Sequence, residues 1–156
     1  MRIVCDTREK PRAIVRIMRT FEAEGIEVIR RALPYGDYLD PDRPGVVIDR
    51  KQNLNEVALN LVQDRARFLR EVDRAHRAGA RLIVLVEHSN RIRTLEDVMK
   101  WNNPRLKTSP LAVSGERLFK IMYAMGTKYQ FEWAFCDKVH TGKKIIELLE
   151  GGTDER

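Results

Sequence analysis

The chain has 156 residues, which is enough for one hydrophobic core without disulfides or a structural metal. It carries 29 Lys and Arg against 23 Asp and Glu, and its two cysteines lack the spacing of a zinc site. The formal charge of +6 favours a polyanionic partner, although many of these charges simply solvate the surface. An acidic residue at position 6 argues against a signal peptide, and no apolar stretch has the length of a membrane span. We therefore expect an intracellular protein without a membrane partner.

Strand and helix patterns alternate along the chain, which predicts an α/β fold with a mixed central sheet flanked by helices. Residues 1–150 are expected to form a single domain and residues 151–156 a frayed tail. The predicted strands are residues 3–6, 26–29, 35–39, 46–51, 81–87 and 131–136. The predicted helices are residues 11–25, 54–78, 95–101, 109–125 and 141–149.

Three of these predictions matter for the site. The turn-rich segment 40–45 separates two strand patterns and predicts a β-hairpin. The helix at residues 54–78 has an apolar stripe, and its charged positions Arg67, Arg70, Glu71 and Arg74 are interpreted as a face turned to solvent. Ser109 and Pro110 are a good N-cap and first-turn pair for the helix that follows them.

The chemically reactive residues concentrate in the hairpin. Asp49 and Lys51 are two positions apart on one strand and therefore project to the same face, whereas Arg50 projects to the other. Folding about the turn brings Asp37 of the partner strand alongside Asp49. The hairpin therefore predicts two carboxylates and one ammonium on a common surface.

Two adjacent carboxylates repel each other unless a cation lies between them, and oxygen ligands are those that magnesium prefers. A magnesium ion held by Asp37 and Asp49 would polarise a phosphodiester, and Lys51 would offset the negative charge that develops. Asp6 and Glu9 lie where the first strand ends, so we expect them near the same pocket as further catalytic carboxylates that add outer-sphere or direct metal contacts.

The order of these motifs resembles the XPF-type (ERCC-four) nuclease domain, a branch of the restriction-endonuclease-like PD-(D/E)xK superfamily with a three-layer core. Later segments are similar to the compact versions of bacteriophage and mobile-element proteins, so the resemblance spans nearly the whole chain. The segments that carry it are Asp6-Thr7-Arg8-Glu9, Gly36-Asp37-Tyr38, Val47-Ile48-Asp49-Arg50-Lys51 and Gln63-Asp64-Arg65-Ala66-Arg67-Phe68.

The resemblance implies a structure-specific DNA endonuclease that acts on branched or flapped DNA in replication, repair or recombination. It implies magnesium, with manganese as a substitute, bound by Asp37, Asp49 and the backbone carbonyl of Arg50, with Lys51 as the catalytic lysine. It also implies a cytoplasmic protein of a bacterial or phage-infected cell and leaves a homodimer open. The chain departs from the family at two positions, with Asp49 in place of Glu and Asn55 in place of Asp.

The residues expected to contact nucleic acid are Arg8, Arg50, Arg65, Lys107 and Ser109. Simpler interpretations stay open for some of them. Arg65 either reaches phosphate or extends from the apolar stripe to solvent, and an N-cap role alone accounts for Ser109.

Two other functional classes are alternatives to a nuclease. A catalytically inactive nuclease-like module that binds DNA is the main alternative, although Asp37, Asp49 and Lys51 are all present. A nucleotide-binding domain is disfavoured because no glycine-rich phosphate-binding motif follows a strand.

Overall fold

The computed structural model describes residues 1–151. The tail predicted for residues 151–156 lies outside the described residues except for Gly151, which ends the last helix. The strands are β1 (Arg2–Cys5), β2 (Glu27–Arg30), β3 (Tyr38–Leu39), β4 (Val46–Lys51), β5 (Arg81–Glu87) and β6 (Glu132–Cys136). The α-helices are α1 (Val15–Ala23), α2 (Leu54–Ala58), α3 (Arg65–Arg77), α4 (Gly115–Tyr129) and α5 (Thr141–Gly151). Short 3-10 segments occupy Pro11–Ala13, Glu96–Lys100 and Pro104–Lys107, and Leu59–Gln63 is a π-helical turn.

The described strands form one sheet in the order β2-β1-β3-β4-β5-β6. The predicted hairpin is confirmed, because β3 pairs antiparallel with β4, with Tyr38 opposite Ile48. The pairs β1 with β2, β4 with β5, and β5 with β6 are parallel, and β1 is antiparallel to β3. β3 therefore runs opposite to the other strands, and the start of β3 lies at the same edge of the sheet as the ends of β1 and β4.

Side-chain alternation along the strands builds a hydrophobic core on each face of the sheet. Val47, Leu82 and Val84 join the core that α2, α3 and α4 cover. Ile48 and Ile83 join the core that α1 and α5 cover. The α/β fold with a mixed sheet between helices is therefore observed, and β5 is buried on both faces as predicted.

The helix predicted for residues 54–78 is interrupted. The π-helical turn Leu59–Gln63 widens it after α2, and Asp64 has a non-helical φ of −107° and ψ of 31° before α3 begins. Apolar periodicity persists across this interruption, with Leu61 and Phe68 both buried, so the sequence pattern does not reveal it.

The prediction that Ser109 and Pro110 start a helix is wrong. Ser114 is the N-cap of α4, where its Oγ accepts a hydrogen bond from the Arg117 backbone N–H at 3.1 Å. Ser109 instead closes a tight turn by accepting a hydrogen bond from the Leu111 N–H at 3.2 Å. Both serines precede a compatible apolar pattern, and α4 continues to Tyr129, beyond the predicted end near Met125. Within residues 1–151, no helix combines the length and apolar character needed to cross a membrane.

Gly36, just before β3, lies close against the neighbouring strand β4. It has a φ of +70°, and a Cβ added there would lie 2.3 Å from Cγ2 of Val47 on the neighbouring strand. Its N–H donates a hydrogen bond to the Glu71 carboxylate of α3 at 3.0 Å. Gly36 therefore lets the chain enter β3 against β4 while α3 holds the same turn.

We predict that Gly36→Ala lowers the free energy of unfolding by about 2–5 kcal/mol, because it adds a steric clash to an unfavourable backbone conformation. Gly25 is a matched control, since it has a φ of +71° and nothing within 4 Å of an added Cβ. Gly25→Ala should cost only about 1–2 kcal/mol. Urea denaturation of both variants measures the difference, and equal losses would contradict the role of the Val47 contact.

Candidate active site

A cleft of about 380 Å³ lies at the edge of the sheet where β1 and β4 end. The hairpin forms its floor, and the segment from α2 through the π-helical turn to α3 forms its wall. Its lining residues include Arg8, Glu9, Asp37, Asp49, Arg50, Lys51, Glu56, Leu59, Asn60, Asp64, Arg67, Phe68, Glu71 and Arg74.

Asp37 is fixed by its backbone before its side chain enters the cleft. Its N–H donates to the carbonyl of Ile48 at 2.7 Å, and its carbonyl accepts from the N–H of Asp6 at 2.8 Å. Its carboxylate accepts a hydrogen bond from the Arg50 N–H at 2.8 Å. Desolvation and the neighbouring Asp49 and Glu9 charges raise the pKa of Asp37 well above its usual value.

Asp49 and Lys51 lie on the same face of β4, as predicted. Asp49 is 4% exposed, its carboxyl group is within hydrogen-bonding reach of Asp37, and its Oδ2 lies 3.2 Å from Nζ of Lys51. That Oδ2 has an ion-pair distance to the ammonium but no partner with hydrogen-bond geometry. A buried carboxylate oxygen without a hydrogen bond is costly, so it is a natural position for a cation.

Lys51 is held as an ammonium. Burial disfavours its charged form, but the carboxylates of Asp49, Glu56 and Glu71 outweigh burial and raise the pKa of Lys51. Its Nζ also lies 5.8 Å from the centre of the Phe68 ring on α3. Lys51 therefore supplies a fixed positive charge beside the two aspartates.

Sequence reasoning missed the contribution of α3. Glu71, Arg67 and Arg74 were interpreted as facing solvent, yet all three line the cleft. They lie on the flank of the helix next to the buried stripe of Phe68 and Val72, where Glu71 is half-buried in the site and Arg67 and Arg74 are exposed at its border. Burial and Asp49 raise the pKa of Glu71. The spacing of 67, 71 and 74 was the signal, because these positions share one side of a helix.

The side chain of Arg50 lies on the opposite face of β4 from Asp49. Its Nε and Nη2 donate to the Glu9 carboxylate at 2.6 and 3.0 Å, and Nη1 pairs with Glu87. Glu9 also accepts from the Tyr38 hydroxyl at 2.8 Å, and Glu87 accepts from the hydroxyl of Thr141 at the start of α5. This buried network occupies the guanidinium, so Arg50 presents its backbone rather than its side chain to the cleft.

Asp6 and Arg8 pair with each other where β1 ends. Asp6 is fully buried, and its carboxylate accepts from the Leu33 N–H at 2.7 Å and from Nε of Arg8 at 2.6 Å. Burial raises the pKa of Asp6, but these hydrogen bonds outweigh it and lower the pKa. Arg8 and Glu9 line the cleft, whereas Asp6 lies behind it and positions Arg8.

The other predicted DNA-contacting residues lie outside the cleft. Arg65 borders a separate depression with α4, and Ser109 borders a groove beside the cleft. Lys107 is exposed at the end of the segment Pro104–Lys107.

The family model of the ERCC4 domain matches residues 5–132, more than half of the chain. The chain belongs to the ERCC4 domain family. No curated protein matches.

Two solved structures have the fold of this ERCC4 domain. XPF from Aeropyrum pernix and the same protein in complex with DNA are each 22% identical in sequence, with a TM-score of 0.67. The matches cover 98% and 99% of this chain but 65% and 66% of those chains, so this chain spans less than two thirds of their length. The restriction-endonuclease-like α/β fold predicted from the motifs is confirmed.

One departure from the resembled pattern lies at position 55 of this ERCC4 domain. Asn55, expected as Asp, is half-buried and lines the neighbouring groove instead of the cleft. The adjacent Glu56 lines the cleft and accepts a hydrogen bond from the Gln52 N–H at 2.7 Å, while Asn53 is the N-cap of α2. Glu56 therefore supplies a carboxylate near Lys51 that Asn55 does not.

The buried Arg50 network predicts a large loss of stability in Arg50→Met, because Glu9 and Glu87 would keep buried charges without a cation. We expect the free energy of unfolding to fall by about 3–5 kcal/mol in urea denaturation. Arg77→Met is the control, since Arg77 pairs with Asp73 on the surface, where side-chain exposures are 80% and 58%. It should cost less than about 0.5 kcal/mol, and a similar loss in both variants would argue against the network.

Removing the charge of Asp37 should stabilise the metal-free ERCC4 domain. Its pKa is higher folded than unfolded, so its ionised form opposes folding at neutral pH, and protonation relieves this as pH falls through the raised pKa. Asp37→Asn, which keeps an acceptor for Arg50, should gain about 1 kcal/mol at neutral pH. The gain should vanish by about pH 4.

Thermal unfolding in chelator from about pH 8 to about pH 4 measures this effect. Asp73→Asn on the exposed side of α3 is the control and should show no such gain. A loss of stability in Asp37→Asn at neutral pH would contradict the assigned repulsion.

Proposed function

We propose that this chain is an endonuclease that uses a divalent metal ion to hydrolyse phosphodiester bonds in branched DNA. The observation that carries the proposal is the pair of carboxylates, Asp37 and Asp49, beside the ammonium of Lys51 in one cleft. Membership in the ERCC4 domain family supports a nuclease.

The donor set of the cleft suits a hard cation. Asp37 and Asp49 repel each other, and Oδ2 of Asp49 lacks a hydrogen-bond partner. The N–H of Arg50 points toward Asp37, and the carbonyl of a strand residue points to the same side as its N–H, so it offers a third oxygen. Within residues 1–151, no cluster of three His, Cys, Asp or Glu side chains is placed for a metal, so this backbone oxygen matters.

Magnesium, or manganese in its place, would supply Lewis-acid polarisation of a phosphate oxygen when bound by these three groups. Lys51 holds its proton because carboxylates surround it, and its fixed charge offsets the negative charge that develops on the phosphate and the attacking oxygen. Glu71 fixes Gly36 and therefore the adjacent Asp37.

DNA is the polyanion that best suits the walls of the cleft. Arg8, Arg67 and Arg74 contribute guanidinium groups around the carboxylates, and their exposure leaves them accessible to phosphates. The solved XPF complex from Aeropyrum pernix contains DNA, which supports the same partner here. The carboxylates at the centre of a basic rim favour a phosphate only when a cation is present.

A cleavage panel tests this proposal. Forks, flaps, junctions, duplex and single strands would be incubated with magnesium, manganese or chelator, and the product ends mapped. We predict metal-dependent cutting of branched DNA that Lys51→Ala slows about 10²- to 10³-fold, because it removes a preorganised charge.

Lys128→Ala is the control, since Lys128 is exposed on α4 and contributes nothing to the cleft lining. It should cut at the rate of the intact chain. Cleavage that persists in chelator would refute the metal dependence. DNA binding without cleavage by either protein would favour a catalytically inactive binding module.

A further inference from the structure

A second groove of about 410 Å³ adjoins the cleft. Glu56 and Leu59 line both, so the two spaces share a wall formed by α2 and the π-helical turn. The far side of the groove is the segment between Asn103 and Val113. A strand whose phosphate enters the cleft would therefore place an adjacent nucleoside at the groove.

The groove exposes large apolar side chains. Leu59, Val62 and Leu111 are 42%, 45% and 67% exposed, and all three line it. Apolar surface that is grouped in a concavity, rather than scattered, marks a binding site. Leu59 and Val62 belong to the π-helical turn, and such turns are frequent at functional sites.

Polar groups around the apolar surface fit the edges of a base. Asn55 and Gln63 each carry an amide with both donor and acceptor capacity, which matches a nucleobase edge. Arg105 adds a guanidinium that suits a neighbouring phosphate, and Glu56 is the single acidic residue among the described lining residues. The charge and polarity of the groove therefore favour a nucleoside within an anionic strand.

We propose that this groove binds an unpaired nucleobase of the same DNA strand whose phosphate lies in the cleft. This inference rests on the proposed function and specifies its substrate. A base in a duplex is stacked and paired, so only a base that has left the stack can enter a pocket. The groove would therefore select DNA in which an unpaired nucleotide adjoins the bond to be cut.

Binding measurements in calcium, a divalent ion that neutralises the carboxylates but lacks the strict octahedral geometry of magnesium, test the inference without requiring cleavage. Each unpaired nucleotide next to the junction of a fork is replaced in turn by 2-aminopurine, which reports unstacking by fluorescence, or by an abasic site. At one position we expect a fluorescence change on binding and an affinity loss of about tenfold when the base is absent, because its buried surface is lost.

Leu111→Ser should weaken fork binding by a similar factor and abolish the sensitivity to the abasic site. The matched control is Leu106→Ser, since Leu106 is 46% exposed on the same connection but does not line the groove. Both leucines are exposed, so neither change should impair folding, which circular dichroism would verify.

The outcomes separate the two proposals. Fork binding that ignores both the abasic site and Leu111→Ser overturns the inference, even if cleavage is normal. Base-dependent binding that Leu111→Ser removes supports it, even if no DNA is cut. Loss of self-association in Leu111→Ser with unchanged DNA binding would identify a protein interface instead, and absence of binding to any DNA would refute both proposals.

Discussion

The strict alternation of side chains along β4 is the constraint on which the site depends. Asp49 and Lys51 face the layer of α2 and α3, whereas Arg50 faces the layer of α1 and α5, and the whole strand is buried. A buried strand with three consecutive ionisable residues needs partners on both faces. Glu9 and Glu87 satisfy Arg50 from one layer, while the carboxylates of the cleft surround Lys51 on the other. The charges on the α1 and α5 face are therefore paired, whereas on the α2 and α3 face the carboxylates outnumber the ammonium of Lys51.

The charges on the two faces of β4 therefore differ in how completely they are paired. The Arg50 network is paired by short contacts and joins β4 to the segment after β1, to β5 and to α5. In the cleft, Asp37, Asp49 and Glu71 crowd around the buried ammonium of Lys51, and burial together with the charge of Asp49 raises the pKa values of Asp37 and Glu71. Such crowding opposes folding unless a cation binds, which is the usual compromise between stability and activity at a catalytic centre. The Arg50 network on one face of β4 therefore holds the strand in place against the repulsion between the carboxylates on its other face.

The sequence was sufficient for the hairpin, the alternation along β4 and the convergence of Asp37, Asp49 and Lys51, because all three follow from the period of a strand and a turn rich in proline and glycine. Their catalytic and metal-binding roles stay predictions. The π-helical turn was not predicted, because Leu61 and Phe68 are both buried on either side of its end and the apolar periodicity gives no sign of a wider turn. The place of Glu71 in the cleft was not predicted, because a charged residue on a helix usually faces solvent. Only the tertiary hydrogen bond from Gly36 shows that its side chain points to the site. The sequence does not distinguish Ser109 from Ser114 as the N-cap of α4, because both serines precede a compatible apolar pattern.

The π-helical turn between α2 and α3 has a consequence for tolerance to insertion and deletion. A wide turn holds an additional residue compared with an α-helical one, so it sets the rotational phase of α3 relative to the hairpin. Shortening it by a single residue would rotate α3 by about 100° and turn Glu71 away from Gly36. The number of residues between α2 and α3 therefore cannot change without rotating α3. The exposed loop before β4 sets the rotation of no helix, so its length is free of this requirement.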